Sequence, residues 1–360
     1  MDKTEVRKRP FTQFTGRMLG NGVDHVDYMR LIERTENGED WVNVCEELGD
    51  KAFAHAEEEI EKSHGLTARL FYLNAESLYR VGQYALIEFT DEKLRLYKKL
   101  MDSYAKAVGL YDPPLEEVNI PFKSYNMHGW LWMPKEPPAD CPVVVFIPGA
   151  TGFKEEMHYC VQALVERGMA VLSIDGPGQG VTLIFNGGAL EVEIERAHSA
   201  MIDHLRDHYP QLGKIGLWGS STGGYYVART AATDKRVSAC VVRGGSYYPI
   251  EVLALSPDWL KKFSRLFLND DLKYVEKELM PRMTLEGLAQ NIECSLLVAH
   301  GDPDPVFSLE GVRRLYDEAP TADKTLQIYP DGKHCADDRN TECVTFCADF
   351  LADRLITPTL

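Results

Sequence analysis

The stretch Lys214-Ile-Gly-Leu-Trp-Gly-Ser-Ser-Thr-Gly-Gly-Tyr-Tyr-Val-Ala-Arg229 contains the pattern Gly-x-Ser-x-Gly. An apolar run precedes the pattern and a helical pattern follows it, which is the strand, tight turn and helix that give this motif meaning. Glycines beside such a turn avoid Cβ collisions and leave the central serine on a strained, exposed corner. The hydroxyl of Ser221 then lies at the start of a helix, where free N–H groups can bind an oxyanion. We predict Ser221 as a nucleophile, in preference to the hydroxyls of Ser220 and Thr222.

The sequence around this stretch alternates strand-like runs with helical patterns. The runs lie at 117–123, 128–133, 142–147, 170–174, 215–218, 238–242, 296–299 and 325–329, and a last helical pattern reaches about residue 355. Such alternation predicts an α/β fold with a mostly parallel, twisted sheet that helices cover on both faces. Residues 247–290 interrupt it with aromatic and charged side chains, which we interpret as a cap insertion.

Residues 1–112 show apolar residues at three- and four-residue spacing and almost no strand signal, which predicts helices. No repeat at a fixed period is present, so an antiparallel helical layer is expected rather than a solenoid. The turn-forming Tyr111-Asp-Pro-Pro114 marks the predicted boundary between this N-terminal domain and a catalytic domain at 113–360. The helical layer could cover an active site, form a homodimer or simply cover apolar surface.

Two later loops supply partners for the serine. A serine hydroxyl needs a base to remove its proton, and the base needs an acid to fix its tautomer. When the serine lies on a turn of this kind, the chain order is serine, acid, histidine. One strand-like run leads into His300-Gly-Asp-Pro-Asp-Pro-Val-Phe307 and the next into Pro330-Asp-Gly-Lys-His334. We predict His334 as the base and Asp304, which precedes an apolar anchor, as the acid, with Asp302 as the rival acid.

An oxyanion hole requires backbone N–H groups close to the serine. It usually combines the N–H of the residue after the nucleophile with one from the loop after an earlier strand. That loop reads Pro148-Gly-Ala-Thr-Gly-Phe-Lys-Glu-Glu156. We predict Thr222 and Ala150 as the donors, with Thr151 as the second choice in the loop.

Composition limits the possible partners of the chain. Its 360 residues include 39 Lys and Arg against 55 Asp and Glu, for a formal net charge of −16. Such a surface repels phosphate backbones and anionic lipids, so we expect a small-molecule substrate and no binding to nucleic acid or membranes. The segment Met1–Pro10 carries basic residues without an apolar stretch behind them, so no secretory signal is predicted.

The eight cysteines are scattered along the chain without the dense spacing of a secreted disulfide scaffold. We expect reduced thiols in a cytoplasmic protein. Cys343 and Cys347 would share a helix face, but His334 beside them is better explained as the base, so no metal is predicted. No cofactor is expected either.

Five stretches of the sequence together resemble one branch of the α/β-hydrolase superfamily. They are Pro148-Gly-Ala-Thr-Gly-Phe-Lys-Glu-Glu156, Asp175-Gly-Pro-Gly-Gln-Gly180, Gly219-Ser-Ser-Thr-Gly-Gly224, His300-Gly-Asp-Pro-Asp-Pro-Val306 and Gly332-Lys-His334. The branch contains dihydroxy-pseudo-oxynicotine hydrolase and the fungal pigment hydrolases that shorten polyketide chains. The helical N-terminal region is also similar to that branch, so the resemblance covers nearly the whole chain.

The resemblance implies hydrolysis of a carbon–carbon bond next to a ketone, in a polyketide-like or aromatic 1,3-dicarbonyl substrate, with Ser221, Asp304 and His334 as the triad. It also implies a further acidic residue at the mouth of the cap, for which Glu251 is the nearest match. The carbanion that leaves must be protonated, either by His334 or by a Glu251 kept neutral by burial. Four aromatic residues would suit a flat, conjugated substrate, namely Tyr225, Tyr247, Tyr248 and Trp259.

Other functions remain open from the sequence alone. The same triad would serve an ester, lactone or thioester hydrolase, including one that releases or cyclises a biosynthetic chain. It would also serve an acyltransferase, because nothing in the sequence separates water from another acceptor. A binding module that keeps the triad without turnover is disfavoured by the full set of serine, acid and histidine.

Overall fold

The computed structural model describes residues 6–7 and 15–356. The chain divides into two compact units, Met1–Leu115 and Glu116–Leu360. Most of the segment Met1–Pro10, in which the sequence predicts no secretory signal, lies outside the described residues. Within the described residues, no helix is long and apolar enough to cross a membrane.

The first unit is helical throughout its described part. Its helices are α1 (Thr15–Gly20), α2 (His25–Glu36), α3 (Trp41–Glu61), α4 (Gly65–Gln83) and α5 (Asp91–Val108). The side chains of Asp24, Asp40 and Thr90 accept hydrogen bonds from backbone N–H groups at the starts of α2, α3 and α5. Trp41 is fully buried, and its indole Nε1 donates to the carbonyl oxygen of Val81 at 3.0 Å.

The second unit contains a sheet with eight strands among its described residues. These are β1 (Glu116–Phe122), β2 (Tyr125–Trp132), β3 (Cys141–Ile147), β4 (Ala170–Asp175), β5 (Leu212–Ser220), β6 (Val237–Arg243), β7 (Ser295–Gly301) and β8 (Lys324–Tyr329). The strand order is β1-β2-β4-β3-β5-β6-β7-β8. β1 and β2 pair with each other, and β2 pairs with β4, in antiparallel fashion, and the remaining pairs are parallel. Every residue of β3 is buried, as expected for a central strand covered on both faces.

Helices cover both faces of this sheet. They are α6 (His158–Val165), α7 (Gly180–Ile184), α8 (Glu195–His208), α9 (Thr222–Thr233), α12 (Leu309–Glu318) and α13 (Asn340–Leu355), whereas α10 (Pro257–Leu266) and α11 (Leu272–Tyr274) belong to the excursion between β6 and β7. Gly216 in β5 faces Leu355 of α13, whereas Gly219, three residues further along, faces Val227 of α9. Residues an odd number apart in a strand point to opposite faces, so α9 and α13 lie on opposite sides of the sheet.

Two elements differ from the sequence prediction. Between the strand-like runs 142–147 and 170–174 the sequence predicts a helix from Glu155, but this element begins as a 3₁₀ turn, Lys154–Met157, and becomes α-helical only at His158. The short helix α7 was not predicted, because the glycines before it suggest a loop. It begins at Gly180, and the carboxylate of Asp175 accepts a hydrogen bond from the N–H of Val181 in its first turn at 2.9 Å.

The excursion between β6 and β7 consists of short helical turns together with α10 and α11. Leu190 donates its N–H to the carbonyl oxygen of Leu266 at 2.7 Å, and Arg282 forms an ion pair with Glu193 at 3.0 Å. The excursion therefore packs against the segment that follows α7. Its role as a cap stays a prediction.

Close packing of α3 on α4 leads to a stability prediction. A Cβ added at Gly49 would lie 2.6 Å from Cε1 of the Tyr79 ring, whereas a Cβ at Gly65 would lie 3.8 Å from Leu110. We expect Gly49→Ala to lower the free energy of unfolding by about 1–3 kcal/mol through overpacking. The control Gly65→Ala should change it by no more than about 1 kcal/mol, in the stabilising direction. Urea unfolding followed by circular dichroism measures both, and equal values would contradict the close packing.

Candidate active site

Ser221 occupies a strained turn between β5 and α9. Its backbone has φ 57° and ψ −130°, a conformation that non-glycine residues adopt rarely and at a cost of about 1–3 kcal/mol. The N–H of Ser221 donates to the carbonyl oxygen of Arg243 at 2.8 Å, which ties the turn to the end of β6. The side chain is half-buried, whereas Ser220 and Thr222 on either side are buried.

The structure brings His334 and Asp304 to this serine. His334 Nε2 lies 2.8 Å from Ser221 Oγ, and His334 Nδ1 lies 2.8 Å from Asp304 Oδ2. Asp304 Oδ1 in turn accepts the N–H of Val306 at 2.7 Å, which fixes the carboxylate. An acid, an imidazole and a hydroxyl in this order can activate the hydroxyl for attack on a carbonyl carbon.

The rival acid does not take part in this arrangement. Asp302 is exposed, and its N–H donates to the carbonyl oxygen of Tyr329 at 2.9 Å. His300, at the end of β7, is fully buried and lies with Nε2 3.2 Å from the carbonyl oxygen of Phe307. Its Nε2 also lies 3.7 Å from Asp304 Oδ2, so His300 packs behind Asp304 and supports the loop 302–308, the acid loop.

Charge and burial act against each other in this site. Burial alone would raise the pKa of Asp304, but the imidazole of His334 and the N–H of Val306 hold it below its ordinary value. Burial alone would lower the pKa of His334, but Cys335 and the Asp304 carboxylate favour the imidazolium and raise it above its ordinary value. The site therefore holds an ionised acid and stabilises a protonated base.

The loop after β3 lies directly against the serine turn. A Cβ at Gly149 would come within 3.0 Å of Ser221 Cβ, and one at Gly223 would come within 2.5 Å of the carbonyl oxygen of Pro148. Ala150 is buried in this loop. Thr222 is the first residue of α9, so its N–H has no acceptor within the helix. The two predicted oxyanion donors thus stand on the two segments that meet at Ser221, and their role remains a prediction.

Residues 144–346 match the alpha/beta hydrolase family. The chain belongs to this family. A 2,6-dihydropseudooxynicotine hydrolase from Paenarthrobacter nicotinovorans is 26% identical over 346 residues, which cover 95% of this chain and 91% of the relative. The hydrolyase poxO from Penicillium oxalicum is 31% identical over 219 residues, covering 57% of this chain and only 52% of the fungal protein.

The fold prediction and the resemblance are confirmed by these matches. The crystal structure of 2,6-dihydroxy-pseudo-oxynicotine hydrolase superposes with a TM-score of 0.85 at 24% sequence identity, covering 96% of this chain and 98% of that one. Membership of the family and the names of its relatives make the chain a hydrolase with the α/β-hydrolase fold.

A buried ion pair that the sequence analysis did not assign holds the loop after β3 in this hydrolase. Lys154 Nζ lies 2.9 Å from Asp175 Oδ2, and the N–H of Lys154 donates to Asp175 Oδ1 at 2.9 Å. Burial alone would lower the pKa of Lys154, but Asp175 and Glu155 raise it, whereas burial raises the pKa of Glu155. Gln179 Nε2 donates to the carbonyl oxygen of Pro148 at 2.6 Å. The motif Asp175-Gly-Pro-Gly-Gln-Gly180 therefore anchors both ends of the loop after β3. The presence of this motif in the sequence was the signal from which the anchoring could have been predicted.

The four predicted aromatic contacts divide into two groups. Tyr225 and Tyr247 are fully buried, so in this conformation they pack the framework and offer no surface to a ligand. Their hydroxyls bond to Arg229 at 3.2 Å and Glu318 at 2.7 Å. Tyr248 and Trp259 are partly exposed, and substrate contact by these two stays a prediction.

Glu251 lies beside the acid loop, where its carboxyl group binds Ser308 at the start of α12. Its carboxylate accepts the N–H of Ser308 at 2.8 Å and the Ser308 hydroxyl at 2.9 Å. Ser308 in turn accepts the N–H of Gly311 and begins α12. Ser308 is four residues along the chain from Asp304, so Glu251 contacts the segment that carries the acid at its far end.

No cysteine or histidine cluster in the described chain is arranged to hold a metal ion. All eight cysteines lie within the described residues and none forms a disulfide. Cys343 and Cys347 do share a face of α13, where both are buried.

The raised pKa of His334 gives a pH prediction. Only the neutral imidazole accepts the serine proton, so labelling of Ser221 by a fluorophosphonate probe should rise with pH through a pKa above about 6.5. In Asp304→Asn the imidazolium loses its carboxylate, so the rise of the labelling rate should move to lower pH. The labelling rate on the high-pH plateau should fall by roughly 10⁴-fold. Asp302→Asn is the matched control and should leave both unchanged. An unchanged pH dependence of labelling in Asp304→Asn would contradict an interaction between Asp304 and His334.

Proposed function

We propose that this protein is a serine-dependent hydrolase that cleaves a carbon–carbon bond next to a ketone, in a polyketide-like or aromatic 1,3-dicarbonyl substrate. The observation that carries the proposal is the 2.8 Å contact between Ser221 Oγ and His334 Nε2, with Asp304 on the opposite ring nitrogen. The name of the relative that aligns with 95% of this chain supports a ketone substrate of the oxynicotine type over a simple ester.

The reaction follows from the arrangement. His334 Nε2 accepts the proton of Ser221 as Oγ attacks the ketone carbon, and the carbonyl oxygen becomes an oxyanion facing the N–H groups of Ala150 and Thr222. The carbon–carbon bond then breaks, and the leaving carbanion or enolate takes the proton from His334. His334 then deprotonates a water molecule, which attacks the acyl-enzyme, and the imidazolium returns this proton to Ser221 Oγ as the carboxylic acid leaves. One bond is broken and one water is consumed, so no cofactor is required.

Ester, lactone or thioester hydrolysis, or acyl transfer to another acceptor, is the second candidate. It is favoured by the contacts of Glu251, whose two oxygens both accept hydrogen bonds from Ser308. A carboxyl group whose two oxygens both bond to Ser308 supports the start of α12 and is not free to assist a leaving carbanion. An alkoxide or thiolate is a better leaving group than a carbanion, so for an ester or thioester the proton from His334 suffices without a second acid.

The helical unit is the proposed dimerisation surface. Leu66 and Leu70 lie one turn apart on α4 and are 70% and 63% exposed. Exposed apolar side chains on one helix face support a contact with a second copy, in a protein that we propose to be cytoplasmic.

Product analysis tests the proposal. The wild-type protein is incubated with 1,3-diketones, aryl ketones and p-nitrophenyl esters, and the products are identified by mass spectrometry. The ketone substrates should yield a carboxylic acid together with a shortened ketone or arene. Ser221→Ala should reduce turnover by roughly 10⁴-fold or more, because no attacking oxygen remains. Ser220→Ala is the control: it removes a buried hydroxyl that has no hydrogen-bond partner and should keep turnover within a few-fold. Cleavage of esters alone would favour the second candidate, and unchanged turnover in Ser221→Ala would exclude both.

Glu251→Gln distinguishes chemistry from helix capping. If the carboxyl assists departure of the carbanion, the substitution should lower kcat for a 1,3-diketone about tenfold and kcat for an activated ester by less than about twofold. Glu310→Gln, on the exposed side of α12, is the control and should affect neither reaction. Equal losses on both substrates would assign Glu251 to support of Ser308 only.

A further inference from the structure

The end of β6 carries a charged side chain in an unusual place. Arg243 is the last residue of a strand in the middle of the sheet, and only 2% of its surface is exposed. A guanidinium stays charged in proteins and is costly to bury unless its N–H groups are satisfied. The partners of Arg243 therefore indicate what the burial achieves.

Those partners lie on the segment that carries His334. Arg243 Nε donates to the carbonyl oxygen of Cys335 at 2.8 Å, and the second terminal nitrogen donates to Asp337 at 3.1 Å and Asn340 at 2.8 Å. The other terminal nitrogen lies 3.5 Å from Cys160 Sγ on α6. One side chain thus holds the whole turn that links His334 to α13.

The turn needs such support because it is strained. Cys335 and Ala336 both have positive φ, 56° and 49°, a conformation that is strained for non-glycine residues and persists only where surrounding contacts impose it. His334 directly precedes this pair. Release of the turn would let the imidazole move away from Ser221.

The backbone of the same residue holds the serine. The carbonyl oxygen of Arg243 accepts the N–H of Ser221 at 2.8 Å and lies 3.7 Å from Cys335 Sγ, which donates to it. Gly244 follows with φ 56°, and a Cβ there would lie 2.7 Å from Cys335. The nucleophile turn and the histidine turn therefore meet on two consecutive residues.

We propose that Arg243 is a positioning residue that holds His334 within hydrogen-bond distance of Ser221, by fixing the strained turn at 335–336 to the carbonyl that also fixes the serine. This inference rests on the proposed function, since it assigns Arg243 to the same pair of reacting groups. Arg243 itself does not touch the reacting atoms.

The test measures reaction of Ser221 with a fluorophosphonate probe, in which Oγ displaces fluoride from phosphorus and His334 takes the proton. Arg243→Lys keeps the charge but loses the planar set of donors. We expect the maximal labelling rate to fall about 10- to 100-fold with the half-saturating probe concentration unchanged, because a small displacement of a base costs rate rather than binding. Gly244→Ala, which pushes Cys335 away without touching the guanidinium, should lower the rate in the same way.

The control is Arg236→Lys. Arg236 precedes the opposite end of β6, where its guanidinium bonds to Asp234 at 2.9 and 2.6 Å and to Asp203. The labelling rate of the Arg236→Lys variant should stay within about twofold of wild type, as expected for a half-exposed ion pair far from the histidine turn.

A double-substitution cycle separates positioning from general loss of structure. In a His334→Ala background the residual labelling does not depend on where the imidazole lies, so adding Arg243→Lys should cause no further loss. A further loss equal to that in the wild-type background would overturn the proposal. An Arg243→Lys rate equal to wild type would overturn it as well, while labelling of the wild-type Ser221 would still uphold the proposed function. Absence of labelling in the wild type would instead count against the proposed function itself.

Discussion

The hydrogen bond between Ser221 and His334 joins residues 113 positions apart, and much of the second unit serves to hold them together. The serine comes from the turn after β5 and the histidine from the turn after β8, with β6 and β7 between those strands. A parallel sheet brings the carboxyl ends of its strands to one edge, so such residues can converge without being neighbours in sequence. The contact is possible because both turns adopt backbone conformations that isolated peptides avoid.

Two buried cations stabilise the segments around this contact. Lys154 binds Asp175 and fixes the loop after β3, and Arg243 binds the turn after His334. A buried ion pair contributes little net stability over an apolar replacement, but it tolerates the loss of neither partner. Ion pairs of this kind specify one arrangement of the backbone, which is what a site built from several loops requires.

Much of the fold and part of the site could be predicted from the sequence. The alternation of buried runs and helical patterns gave the strands of the sheet, because each periodicity reflects the face that a local segment buries. Chain order pointed to Asp304 and His334 because each follows a strand. The aromatic residues were predicted less well: Tyr225 and Tyr247 are fully buried, and an apolar ring near a motif has the same local signature whether it packs a core or lines a pocket.

The α/β class, the position of the serine turn and the candidates for its two partners could all be derived from the sequence, since these depend on local periodicity, turn chemistry and chain order. The folded chain was needed to show that Asp304 rather than Asp302 contacts His334, that Glu251 supports the start of α12, and that Arg243 bonds to the histidine turn. The energy of a buried charge depends on partners distant in the chain, and no local pattern records which partners the fold brings within hydrogen-bond distance.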